Sequence, residues 1–153
     1  MESVCAVKEF DLARYLGSWF EIARLPNRFE KKCDRDVMAH YAATGTSGRI
    51  TVRNECRRVD GRLTVANGYG KVDSDCGEGK LKVSFFRPFW ARYWVIALDP
   101  DYGWSLVGEP KREYLWILSR TPELSAEVLA EIKAKATAQG FDVGKLLMTP
   151  HGR

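Results

Sequence analysis

The sequence predicts an all-β protein, an eight-stranded antiparallel up-and-down barrel with one C-terminal α-helix packed outside it. Three observations carry that expectation. Short runs rich in Val, Ile, Tyr, Phe and Trp follow one another along the chain, with turn residues about every 8–15 positions. A single segment near the end, after Ser125, stands out for its helical periodicity. The 153 residues amount to one domain, 1–153, and are too few for two substantial ones.

The first strand spans 18–24 and ends at Leu25-Pro26-Asn27, which opens a basic loop reaching Asp36. Strands follow at 37–43, 48–56, 63–72, 80–86, 92–98, 104–108 and 114–119. Their separators carry turn chemistry, as in Asp60-Gly61, Asp99-Pro100-Asp101-Tyr102-Gly103 and Glu109-Pro110. Links this short favour hairpins over parallel crossovers, and eight such strands curl far enough to close and lose their edges. After them, Ser125 is a natural N-cap and Glu127 suits the first turn. Val128, Leu129, Ile132 and Ala136 give one apolar stripe, and Gly140 is the stop. Leu146-Leu147-Met148 reads as a short closing segment.

Composition excludes several function classes. With 45% hydrophobic and 29% charged residues the chain is neither disordered nor collagen-like. The longest apolar run, 93–98, is far short of the roughly 20 residues that span a bilayer. The net charge of +4 is spread out, without the basic stripe of a nucleic-acid binder. Its densest patches, Arg28, Lys31, Lys32 and Arg35, then Arg57, Arg58 and Arg62, read either as solvated loop charge or as attraction to anionic headgroups or acidic ligands. His40 and His151 are the only histidines, and no GxSxG, HExxH, GxGxxG or P-loop occurs, so neither a metal site nor a cofactor is expected.

Cys5, Cys33, Cys56 and Cys76 include no CxxC pair, and their scatter fits disulfides in an oxidising compartment. Folding 37–41 and 50–55 about the turn at 43–48 brings Cys33 towards Cys56, given a bulge or a slip of a residue or two. Cys5 and Cys76 are left either paired with each other or free. Met1-Glu2-Ser3-Val4 shows neither a signal peptide nor a lipobox, although Cys5 stands where a mature bacterial lipoprotein would begin. Export and cytoplasmic residence both stay open on this ground.

The chain resembles the lipocalins. Gly17-Ser18-Trp19 matches the family's G-x-W at the first strand, and Asp101-Tyr102 falls where the family has T-D-Y, with Pro100 replacing the threonine. Arg120, at the end of the eighth strand, matches the lone arginine of the third signature. Longer stretches at 14–24, 80–86 and 114–122, with Gly140-Phe141-Asp142-Val143, are similar to the branch of bacterial outer-membrane lipocalins, apolipoprotein D and plant temperature-induced lipocalins. The signature also makes physical sense: Trp19 and Arg120 can stack, while the guanidinium donors serve carbonyls of the segment crossing beneath the barrel.

The resemblance implies a calyx that takes a small hydrophobic ligand, a fatty acid or a lysophospholipid, in cell-envelope lipid maintenance or stress response. It places Tyr41, Tyr93 and Trp116 towards the ligand. Alternation adds Val37, Ala39, Val95, Ala97, Tyr114 and Leu118. Phe85, Phe86, Phe89 and Trp90, flanked by Arg87 and Arg92, form an aromatic turn that rims the mouth or else faces a dimer partner or a membrane. Location in the cell envelope and membrane attachment through a lipidated N-terminus of a precursor go with the branch. The alternatives are an enzyme on this scaffold, with Glu21 as the plausible inward carboxylate, and a haem or tetrapyrrole carrier. The second would depend on His40, whose alternation with Ala39 and Tyr41 points it away from the cavity.

Overall fold

A computed structural model describes residues 3–74, 77–86 and 89–152. Eight strands pair antiparallel in chain order: β1 (Gly17–Arg24), β2 (Arg35–Ala43), β3 (Arg49–Arg57), β4 (Leu63–Val72), β5 (Lys80–Phe86), β6 (Phe89–Leu98), β7 (Trp104–Gly108) and β8 (Leu115–Ser119). Because β1 pairs with both β2 and β8, the sheet closes into a barrel. A one-turn helix α1 (Leu12–Tyr15) precedes β1, α2 (Ala126–Ala138) follows β8, and a two-residue strand β9 (Leu147–Met148) ends the fold. The sixth strand starts earlier than its sequence suggests, since Phe89 pairs with Phe86 and carries the ladder close to the hairpin tip.

Alternation along the strands divides the apolar residues between two cores. Tyr15, Trp19, Tyr41, Ile50, Val52, Leu81, Val95, Val107 and Leu118 fill part of the barrel interior. On the outside, Ile22, Ile96, Trp104, Leu106 and Ile117 pack against Ile132, Ala136 and Phe141 from α2 and the segment after it. The helix begins where Ser125 accepts a bond from the Val128 amide, and it stops before Gly140, whose φ of +89° suits glycine. Completely burying Ile132 stabilises the docked helix by about 1.5–3 kcal/mol.

Bulges break the alternation at two places that matter. The register shifts between Glu21 and Ala23, so Trp19, Glu21 and Arg24 share the inner face while Ile22 and Ala23 face the helix side. A second shift between Val95 and Ala97 turns Ala97 into the outer core, correcting its expected place on the interior wall.

Cys33 and Cys56 form a disulfide, with Cα atoms 5.5 Å apart, and the pairing slips between Arg35 and Met38 as that bridge requires. It ties the β1–β2 loop to the end of β3. Cys5 is exposed and free; Cys76 lies outside the described residues.

The C-terminal segment is a strap rather than a loose tail. Past Phe20 and Met38, β2 parts from β1, and β9 takes the vacated place opposite Ala23 and Arg24. The Asp36 amide donates to the Pro150 carbonyl and the Gly152 amide to the Asp36 carboxylate. His151 Nε2 donates to the Glu21 carbonyl, 2.6 Å away, and its ring meets Phe20 edge-on.

Candidate ligand-binding interior

One end of the barrel is plugged. The Arg120 guanidinium lies over the Trp19 ring, 3.8 Å from its centroid, and donates to the carbonyls of Arg14, Leu16 and Ser18 at 2.9–3.0 Å. Gly17 has a φ of +106°, and a Cβ there would sit 3.1 Å from the Arg120 guanidinium, so the position favours glycine twice over. Above this plug, α1 delivers Tyr15, which the sequence reading missed because it precedes the first strand. Its hydroxyl bonds those of Tyr93 (2.7 Å) and Ser105 (2.8 Å), and Tyr93 in turn bonds Tyr41 (2.8 Å). Burial pushes the Tyr15 phenol up to about 12 and raises Tyr41 and Tyr93 as well, so this hydroxyl chain stays neutral. It forms a polar floor in an otherwise apolar base.

The other end differs. Ala66 and Ala91 lie on the inner face by register, opposite Asn54 and Val83, yet both are exposed. Phe89, next along the inner face of β6, is 75% exposed. The interior is therefore accessible to solvent from the end bounded by the β1–β2, β3–β4, β5–β6 and β7–β8 connections.

A polar shelf stands on the wall between floor and mouth. Arg24 Nη1 is 3.0 Å from Glu21 Oε2 and 3.5 Å from Glu30 Oε1, and Trp116 Nε1 donates to Glu30 at 2.9 Å. Glu30 comes from a 3-10 turn, Arg28–Glu30, capped by Asn27. Thr149 reaches in from the strap and donates to Glu21. Two carboxyls share one guanidinium here, so one of them remains protonated. It is Glu21: burial first, then the neighbouring Glu30 charge, push it up to about 8. The shelf is neutral overall at pH 7, with Arg24 balanced by Glu30. Glu21 was legible as an inward carboxylate; Arg24, Glu30 and Thr149 were not, because they meet through a bulge, a loop and a strap.

The structure sorts the other expected residues. Ala39, Tyr41, Tyr93, Val95, Trp116 and Leu118 all pack in or against the inner core. Tyr114 stacks on Trp116 at 5.7 Å, and Phe29 of the β1–β2 loop lies 5.6 Å beyond it. Trp90 and Arg92 depart from expectation. They flank the inward Ala91, so both project from the outer face, where Lys71 covers the Trp90 ring at 4.5 Å. They leave the proposed lining. Phe86 pairs with Phe89 in the ladder; its side chain and Arg87 lie outside the described residues. Asp101 is exposed, whereas the Tyr102 hydroxyl braces the start of α1 by accepting from the Asp11 amide, 2.9 Å away.

His40 is on the outer face, between Ser18 (2.7 Å from Nδ1) and Glu55 (2.6 Å from Nε2). That placement removes it from any ligand inside the barrel. The Ser18–His40–Glu55 chain has the order of an activated nucleophile, but acyl transfer also needs preorganised donors for an oxyanion. The backbone around Ser18 is instead engaged in the β1–β2 ladder. Among the described residues no group of three or more His, Cys, Asp or Glu is placed to hold a metal ion, and no helix is long and apolar enough to cross a membrane.

A closed eight-stranded barrel with a basal Trp–Arg plug, an outer helix and an apolar interior open at one end defines a calyx-type binding fold. Residues 10–151 match the lipocalin-like domain family, and the chain belongs to it. It is 44% identical over 147 residues to the outer membrane lipoprotein Blc of Citrobacter freundii, covering 95% of this chain and 82% of that one. To temperature-induced lipocalin-1 of Arabidopsis thaliana it is 39% identical over 151 residues, covering 94% and 81%. Among solved structures, insecticyanin of Manduca sexta superposes with a TM-score of 0.80 at 22% identity, over 99% of this chain and 86% of that one, a likeness of fold. Binding of small hydrophobic ligands is the property of the family.

Proposed function

We propose that the protein carries a single-chain lipid, a fatty acid or a lysophospholipid, in the cell envelope, where it serves lipid maintenance or stress response. The observation that carries this reading is the solvent-accessible inner face around Ala66, Ala91 and Phe89, above a floor sealed by Tyr15, Trp19 and Arg120. An alkyl chain entering there gains about 0.8 kcal/mol per buried CH₂, so a dozen or so methylenes support micromolar affinity after association costs. Because the Glu21–Arg24–Glu30 shelf has no spare charge, an anionic headgroup stays at the mouth, near the basic loops, and the chain points to the tyrosine floor. The similarity to Blc, an outer membrane lipoprotein, supports the envelope setting. The reading is of binding, not turnover.

The test is titration with a fluorescent fatty acid and a fluorescent lysophospholipid. Saturable micromolar binding, weakened about tenfold by Trp116→Ala, is expected. Binding that never saturates, or that ignores Trp116→Ala, contradicts it.

A further inference from the structure

Among the described residues, the three most exposed large apolar side chains, Val59, Phe89 and Phe29, lie at one end of the barrel, whereas the less exposed Val65, Tyr69, Phe85, Leu147 and Met148 are on its wall and on β9. Phe29 (65% exposed), Val59 (82%), Leu63 (43%) and Phe89 (75%) all sit on the mouth connections or the strand ends beside them. Single exposed apolar residues are ordinary, whereas a cluster at one end marks a surface that meets something apolar.

Charge is segregated along the same axis. The mouth connections 25–34, 58–62 and 109–114 hold seven basic residues against five acidic ones. Four of those acids are already engaged: Glu30 by Arg24 and Trp116, Asp34 by Arg35, Asp60 by Arg62, and Glu109 by the amides of Lys111, Glu113 and Tyr114. The closed-end connections 44–48, 73–79 and 99–103 hold no basic residue against five acidic ones, of which Asp73 meets Lys82, Glu78 meets Lys80 and Asp99 the Gly103 amide. The segment crossing that end adds Lys8 and Arg14 against Glu9 and Asp11, and the plug adds Arg120, so the end stays net acidic. The barrel is thus a dipole whose positive pole carries the apolar tips. Arg28 and Phe29 combine the two properties, with the guanidinium 5.7 Å from the ring centroid.

We propose that the mouth end docks on an anionic phospholipid bilayer, with Phe29, Val59 and Leu63 entering the interface and Lys31, Lys32, Arg58 and Arg62 facing the headgroup charge. Aromatic and aliphatic tips among cations are the composition that lies in a membrane interface, and the acidic far end turns the molecule mouth-down as it approaches. This surface stands on the loops alone, whether or not the interior holds a lipid, and its readout is vesicle binding rather than ligand titration.

The experiment is flotation of the protein with vesicles of phosphatidylcholine alone or mixed with phosphatidylglycerol, at low and high salt. Binding to the anionic vesicles, reduced by salt, is expected. Lys32→Glu weakens it about 25-fold, the lost cation and the added anion each contributing about fivefold. Lys135→Glu, the same charge change on exposed α2, leaves it within about twofold. Phe29→Ser with Val59→Ser lowers the binding that survives high salt. Equal effects of Lys32→Glu and Lys135→Glu would reduce the attraction to net charge and overturn the proposal, as would equal binding to both vesicle types or to neither. A dimer by sedimentation equilibrium that Phe29→Ser dissolves would assign the face to a second copy, and so overturn it too.

Discussion

At the closed end, inward residues of successive strands, Tyr41, Ile50, Val52, Leu81, Val95, Val107 and Leu118, are buried against one another and against Tyr15 and Trp19. Nearer the mouth, inward positions on the same sheet, Ala66, Ala91 and Phe89, are open to solvent. Strand pairing and alternation are the same in both halves. One thing differs: below, Tyr15, Trp19 and Arg120 come together across the end of the barrel and pack under the inward side chains, whereas near the mouth Ala66, Ala91 and Phe89 are left uncovered. A single sheet therefore makes a solid base that holds the fold and an upper half whose inward positions are open to solvent.

The division assigns stability to the base and predicts unequal responses to substitution. Trp19→Ala costs the most, about 3–5 kcal/mol by denaturant unfolding, because it removes a fully buried ring and the surface on which Arg120 stacks. Replacing both Cys33 and Cys56 by Ser comes next, at about 3 kcal/mol for a bridge between positions 23 apart. Tyr93→Phe costs about 1–2 kcal/mol, since it strands the buried hydroxyl of Tyr41 and leaves that of Tyr15 with Ser105 alone. An equal loss from Ala91→Phe would erase the distinction between the halves; less than about 1 kcal/mol is expected there, because Ala91 is exposed.

The shelf between the halves adds a pH dependence of determined sign. Glu21 titrates near 8 when folded, against an ordinary 4.5, so the folded state holds an extra proton between these values. Stability accordingly falls as pH rises from about 4.5 to about 8 and levels off above. Thermal melts across this range check the slope. Glu21→Gln flattens it and makes the protein more stable than the parent at about pH 9, by roughly 1 kcal/mol or more.

The base was far more legible in the sequence than the chamber. Trp19 and Arg120 advertise the plug because their spacing is tied to strand ends, and hairpin folding about 43–48 brings Cys33 to Cys56. Tyr41, Tyr93 and Trp116 fall on the inner face as the resemblance implies. What alternation could not see were the bulges, which turn Ala97 outward and bring Arg24 inward, and the inward setting of Ala91, which sends Trp90 and Arg92 outside. A bulge is a property of a strand pair, invisible in either strand alone. The Thr149–Glu21 bond joins residues 128 positions apart and exists only because the strap fills the gap between β1 and β2.

The most direct test of a solid base beneath an open chamber is the affinity for a fluorescent long-chain fatty acid after Ala66→Trp, which places a large ring on the inner face of the upper half. Binding weakened at least about tenfold, with an unfolding midpoint close to that of the parent, is the predicted result. Undiminished affinity would mean that the ligand does not occupy this chamber, and the account of the interior would have to be abandoned.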